Sequence, residues 1–149
     1  MIHTHPIRSE KIRFLLSEID LSLSIIQDNL PVTDDYDEFI NLGLLKDGLY
    51  KRLEYILQSI FDICAILNRD LKLGVPMNDD DIIGNLVKSG YLDPEMGELL
   101  KDMKGLKNIL VHQYGKINDV LVFDVLKTQL NDISAISEHL NRIISTNHS

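Results

Sequence analysis

The chain has 149 residues, 44% hydrophobic and 26% charged, with a net charge of −8 and a single cysteine, Cys64. That length and balance fit one globular domain over residues 1–149, large enough to need no disulfide or metal staple, and one cysteine excludes an intrachain disulfide. The acidity argues against broad coating of RNA or DNA, whose binders are usually basic, but leaves room for a small cationic site. No apolar run approaches the ~20 residues that span a bilayer, and the opening MIHTHPIRSEKIR lacks the apolar core of a signal peptide. The expectation is a cytoplasmic chain with no membrane contact.

The first predicted helix runs from about Arg8 to Leu30. Ile12, Leu16, Ile19, Leu23, Ile26 and Leu30 step by four and three, a heptad-like seam for another helix. Phe14, Leu21 and Ile25 make a second stripe, so this helix is expected to be covered on two sides. Pro31 stops it. Thr33, Asp34 and Asp35 then offer caps for a long second helix. Its apolar stripe begins at Tyr36, Phe39, Ile40 and Leu44. It continues through Leu49, Leu53, Ile56, Leu57, Ile60, Cys64 and Leu67 to an end near Leu71, before Gly74 and Pro76. Gly43 and Gly48 predict a kink or break in its first part. Cys64 on the stripe reads as a small buried hydrophobe.

Asn78 and Asp79 can cap a short third helix over about Asp80 to Lys88, ended by Gly90. The run Asp79-Asp80-Asp81 sits in its first turn, where carboxylates favour the helix dipole. No histidine or second carboxylate cluster stands near it at metal-ligand spacing. Asp93-Pro94-Glu95 is a start signal of cap, first-position proline and acid. The helix it opens should reach about Tyr114, with Gly115 in the left-handed terminal conformation. Asn118 caps a last helix. It carries Val122, Leu126, Leu130, Ile133, Ile136, Leu140 and Ile143 at helical spacing, fades near Ser145 and leaves residues 145–149 as a frayed tail. No segment alternates as a strand does. The fold class is all-α, an antiparallel bundle of four main helices plus one short helix.

The fourth predicted helix carries the chemistry. On a helical wheel Met96, Leu99, Leu100, Met103, Leu106 and Leu110 form one apolar arc, and Lys107 falls near its middle. A lysine there must reach water by snorkelling, or find a partner or an anion. His112 lies about 140° round from Lys107, so one narrow face cannot hold both. A common site needs a cleft that wraps round the helix end, and a second subunit could supply its other wall. Asn108 lies four residues before His112 on the same side and can orient the imidazole. Taken alone, His112 also reads as a histidine at a helix C-terminus, where the dipole favours its cation, and Tyr114 as a core aromatic on the meridian of Lys107.

The stretch Lys107, Asn108-Ile109-Leu110-Val111, His112, Gln113, Tyr114 resembles the signature of the HEPN superfamily in its HepT toxin branch. That signature has an Arg, four mostly apolar residues, a His, one residue and a Tyr; here Lys107 replaces the Arg. The resemblance implies a small helical bundle that dimerises through the helices around the motif, so that the cation and histidine of both protomers line one cleft. It implies a metal-independent ribonuclease with no cofactor, with Lys107 and His112 catalytic and Asn108 orienting the substrate. It implies a partner, the minimal nucleotidyltransferase antitoxin MNT, that transfers AMP to the tyrosine, here Tyr114. DNA is not an expected substrate. A histidine can take the proton of the RNA 2′-hydroxyl or protonate the leaving 5′-oxygen, and a cation stabilises the charge that grows on the phosphate. A lysine supplies that charge without the planar fork of an arginine. The alternative is a non-catalytic dimeric helical adaptor that binds the nucleotidyltransferase or a nucleotide.

Overall fold

A computed structural model describes residues 7–112 and 117–146. Every regular element among the described residues is helical: α1 (Ser9–Asn29), α2 (Tyr36–Ile40), α3 (Leu44–Asp70), α4 (Asp79–Lys88), α5 (Pro94–His112), α6 (Asp119–Thr128) and α7 (Leu130–Thr146). The fold class is the expected one. The count is not, because two of the predicted helices are each divided in two.

The first division follows from Gly43, which takes φ +64°, a left-handed conformation that side-chain-bearing residues rarely adopt. It separates α2, capped by Asp35 accepting from the backbone N–H of Asp37 at 2.9 Å, from the 27-residue α3. Gly48 lies inside α3 and breaks nothing. The second division, at Gln129, has no glycine or proline to announce it. Its cause is tertiary. Phe123 of α6 packs against Phe39 of α2 at a ring separation of 4.7 Å and against Tyr36 at 5.8 Å. Helix α7 lies instead along α1 and buries Ile133, Ile136 and Leu140. One straight rod cannot serve both partners. Helix α7 ends at Thr146, within one residue of the expected fade near Ser145.

Helix α3 is the centre of the bundle and packs against α1, α4 and α5. It buries the expected stripe from Leu49 to Leu67 and also Tyr50, Ser59, Phe61, Ile63 and Asn68, so it is covered round most of its circumference; Leu44, expected on the same stripe, is 87% exposed at its start. Helix α1 lies antiparallel along it. The start of α1 is pinned to the end of α3 where Asp70 Oδ2 accepts from the Arg8 backbone N–H at 2.9 Å and from Arg8 Nε at 3.1 Å. The seam Ile12, Leu16, Ile19, Leu23 and Ile26 is buried as expected. The second stripe is not: Phe14 and Leu21 are 53% and 52% exposed. Both neighbours of α1, α3 and α7, meet the first seam, and no described helix lies over the other face.

Helices α4 and α5 form an antiparallel hairpin. Asn78 caps α4, accepting from the Asp81 N–H at 2.9 Å, and Asp93 caps α5, accepting from the Met96 N–H at 2.8 Å. Gly97 lets the two helices close: a Cβ there would meet Cγ2 of Val87 at 2.7 Å. Gly84 of α4 has open space at the same position. Replacing Gly84 by Ala should therefore stabilise the protein by about 0.5–1 kcal/mol through helix propensity. Gly97→Ala should destabilise it, because overpacking of about 1–3 kcal/mol outweighs the same gain. Thermal melts of the two single variants check the opposite signs.

Candidate functional site

Lys107 does not snorkel. It is 8% exposed, its ammonium lies 4.8 Å from the centre of the Phe61 ring on α3, and Nζ donates to Asp79 Oδ2 at 3.1 Å. The Lys107 stem thus crosses the apolar arc of α5, and its charge finds a partner at the first residue of α4. One turn earlier on α5, Lys104 donates to Asp80 at 2.8 Å. Two lysines three apart on one helix meet two consecutive aspartates at the start of another. Asp81 turns back and accepts from the Met77 N–H at 2.9 Å. The three carboxylates therefore do more than face a helix dipole: two hold α5, and one holds the loop before α4. Among the described residues no group of three or more His, Cys, Asp or Glu is placed to hold a metal ion.

Asn108, next to Lys107, is exposed. His112 is the last described residue of α5, and its side chain lies outside what the structure describes, as do Gln113, Tyr114, Gly115 and Lys116. The expected meeting of Lys107, His112 and Tyr114 in one cleft, and the left-handed Gly115, fall in that undescribed part. Both ends of the segment are anchored. Leu110 is buried before it, and after it Asn118 caps α6, accepting from the Leu121 N–H at 3.2 Å.

A second polar cluster stands at the start of α6. Asp119, the first residue of α6, accepts a short hydrogen bond from the Tyr50 hydroxyl and pairs with Lys46 Nζ at 3.4 Å. Burial, then the hydrogen bond to Asp119, pushes the Tyr50 phenol far above its ordinary range, so it stays a donor. Tyr50 lines a cavity of about 380 Å³ with Lys51, Glu54 and Leu110. Sequence reasoning missed this cluster, because Tyr50 lies off the apolar stripe it followed and Asp119 reads as a first-turn acid alone. It also missed Phe61 as the seat of Lys107. The pairing of Asp79-Asp80 with Lys104 and Lys107 left a faint signal, two like charges one turn apart facing a doubled acid. Cys64 is fully buried, and burial pushes its thiol up to about 12, which fits its reading as a small hydrophobe.

Comparison with known proteins adds the following. A family model described as ribonuclease HepT-like matches residues 19–140. The chain is similar to the mRNA nuclease HepT of Shewanella oneidensis, 30% identical over 101 residues that cover 68% of this chain and 76% of the relative. It is also similar to a putative RNase of Archaeoglobus fulgidus, 33% identical over 101 residues, covering 64% and 75%. Among solved structures it superposes on the tri-AMPylated Shewanella oneidensis HEPN toxin in complex with its MNT antitoxin. The TM-score is 0.78 and the identity 25%, over 89% of this chain and 97% of that one.

The Lys107–Asp79 pair is part-buried, its side chains 11% and 35% exposed. Its worth should lie between that of surface and buried pairs, so Lys107→Met or Asp79→Asn should each cost about 1–3 kcal/mol. A double-mutant cycle in urea reads the coupling, and a coupling near zero shows that the pair does not hold α4 to α5.

Proposed function

Starting from a chain that belongs to the HepT-like ribonuclease family, we propose that it is the toxin of a HEPN/MNT-type toxin–antitoxin pair, a metal-independent cytoplasmic endoribonuclease silenced when its antitoxin transfers AMP to Tyr114. The observation that carries this reading is that the family match, residues 19–140, contains the whole motif from Lys107 to Tyr114. An mRNA nuclease among the relatives supports the activity. An AMPylated toxin held by its MNT antitoxin supports the control.

In this mechanism RNA brings its own nucleophile, the 2′-hydroxyl. His112 takes its proton or protonates the 5′-oxygen that leaves. Lys107 stabilises the charge on the five-coordinate phosphorus, and the exposed Asn108 orients the substrate or the imidazole. Lys107 enters with its charge engaged by Asp79, so the phosphate must compete with that carboxylate. This is a constraint on the rate that a free cation would not face. AMP on Tyr114 adds a phosphate that competes for the same cation and fills the space of the RNA phosphate.

A homodimer through α5 supplies the second wall of the cleft. Val111 inside the motif and Val120 and Leu121 after it are 43%, 59% and 41% exposed. An apolar cavity of about 290 Å³ lined by Gly105, Ile109, Leu121 and Val125 opens beside them. The net charge of −8 suits docking on a basic face of the nucleotidyltransferase. The engaged state of Lys107 also favours a second reading, a non-catalytic dimeric adaptor for the nucleotidyltransferase or a nucleotide.

Purified protein incubated with total RNA separates the two. The ribonuclease should cut in the presence of EDTA, leave 2′,3′-cyclic or 3′-phosphate ends and lose its activity in His112→Ala. Cleavage that stops on chelation, or 3′-hydroxyl ends, refutes the 2′-hydroxyl mechanism, and no cleavage at all leaves the adaptor. Lys107→Arg should keep or raise the rate, since arginine adds an aligned donor. Lys107→Ala should lose most of it, and a Lys107→Ala protein as fast as its parent removes the cation from catalysis. After co-expression with the nucleotidyltransferase, mass spectrometry should find AMP on the peptide that contains Tyr114. AMP found only elsewhere, or undiminished toxicity of the modified protein, ends that role for Tyr114.

A further inference from the structure

A cavity of about 840 Å³ opens between the start of α1, the end of α3 and the loop that leads into α4. It lies apart from the motif. Lys107 packs on Phe61, whereas the next residues round α3, Asp62, Ala65 and Ile66, line the cavity. We propose that this cavity binds a nucleoside phosphate, with the phosphate on the cations of its rim and the base against its apolar floor.

Charge is the first argument. The chain carries 15 Lys and Arg against 23 Asp and Glu, yet Arg8, Lys11, Arg69 and Lys72 all face this one space. Two of them are held in place. Asp70, its side chain only 10% exposed, takes Arg8 Nε at 3.1 Å and lies 3.7 Å from Arg69 Nε. Each guanidinium has five donors, so engagement through Nε leaves the terminal nitrogens of both for an anion. The Lys11 ammonium rests 5.8 Å from the Phe14 ring, and that of Lys72 has no ion pair among the described residues. Four cations against the carboxylates of Asp70 and Asp62 leave a local surplus of two positive charges on an acidic protein. A surplus of that size suits a phosphate better than a single carboxylate.

The second argument is the floor and its bracing. Ala65 and Ile66 of α3 and the buried Ile82 of α4 line the cavity, with the exposed Val75 of the loop at its open edge, and the volume lies in the range of small-molecule sites. The loop is built in by a buried amide. Asn68, 2% exposed, donates to the Gly74 carbonyl at 2.9 Å and accepts from Asn85 Nδ2 at 2.9 Å. The wall that carries Lys72 and Val75 is therefore set before a ligand arrives. Asp62 gives the cavity an acceptor, which opposes a fatty acyl chain but suits the hydroxyls of a ribose or the amino group of a base. The same chemistry serves a free nucleotide and one unit of an RNA strand.

Titration calorimetry with AMP and with a short single-stranded oligoribonucleotide, on the full chain carrying His112→Ala so that RNA is not cut, tests the site. Binding of AMP alone makes the source a free nucleotide; binding of the oligonucleotide alone makes it a strand. Lys11→Glu with Lys72→Glu, both exposed positions, should weaken whichever ligand binds by at least about tenfold. Ala65→Trp fills the cavity and leaves every charge in place, so it should weaken binding as much. Melting temperatures matching the parent's show that the variants fold. The proposal is overturned if neither ligand binds, if Ala65→Trp binds like the parent, or if inorganic phosphate or laurate binds as well as AMP. A parent that cuts RNA yet shows no ligand sensitive to these variants loses this site and keeps its ribonuclease reading; binding without cutting does the reverse.

Discussion

A helix that buries residues round most of its circumference has no stable existence alone, because most of its surface must be taken out of water by other elements. Helix α3 is in that position. Leu53, Ile56, Leu57, Ile60, Ile63 and Leu67 are each at 0% exposure, and α1, α4 and α5 are the walls that make this so. The places of the other helices follow from that need. Antiparallel α1 is fixed by Arg8 on Asp70, and the hairpin of α4 and α5 closes another side. Helix α6 is held at its far end, where Lys127 Nζ donates to the Pro31 carbonyl at 2.7 Å.

The hairpin of α4 and α5 is fastened twice by different means. Near the start of α5 the fastening is steric, a glycine against Val87. Further along it is electrostatic, Lys104 and Lys107 on Asp80 and Asp79. Both acids lie in the first turn of α4, where the helix dipole already favours negative charge. The lysines therefore meet carboxylates that are stabilised where they stand. The result is that the motif cation is also a structural cation. Any chemistry it performs draws on a side chain that the fold uses to set the α4–α5 angle.

Much of the fold was legible, for plain reasons. Spacing of three and four found the buried seams of α1, α3 and α7, and the caps at Asp35, Asn78, Asp93 and Asn118 appear where the residue types announced them. The break at Gln129 was illegible because nothing local causes it; it arises from α6 and α7 packing on different partners. The stripe of Phe14 and Leu21 misled, since a periodic pattern tells which face is apolar and not whether the same chain covers it. At the site, the motif itself was legible as a pattern of types and spacing. The partners of Lys107 were not. Asp79 lies 28 residues away and Phe61 on a different helix, and periodicity along one helix carries no information about either.

Cys64 has a consequence of its own. It is the single thiol of the chain, fully enclosed six residues before the end of the central helix. At 0% exposure it is closed to a modifying reagent in the folded state. Only a motion that parts α3 from its walls exposes it, and such a motion dismantles the core. The rate at which this one sulfur reacts with an external disulfide is therefore a clock for global opening, separate from the looser fluctuations of the surface. Oxidative damage at this position would strike unfolded copies and spare the folded ones.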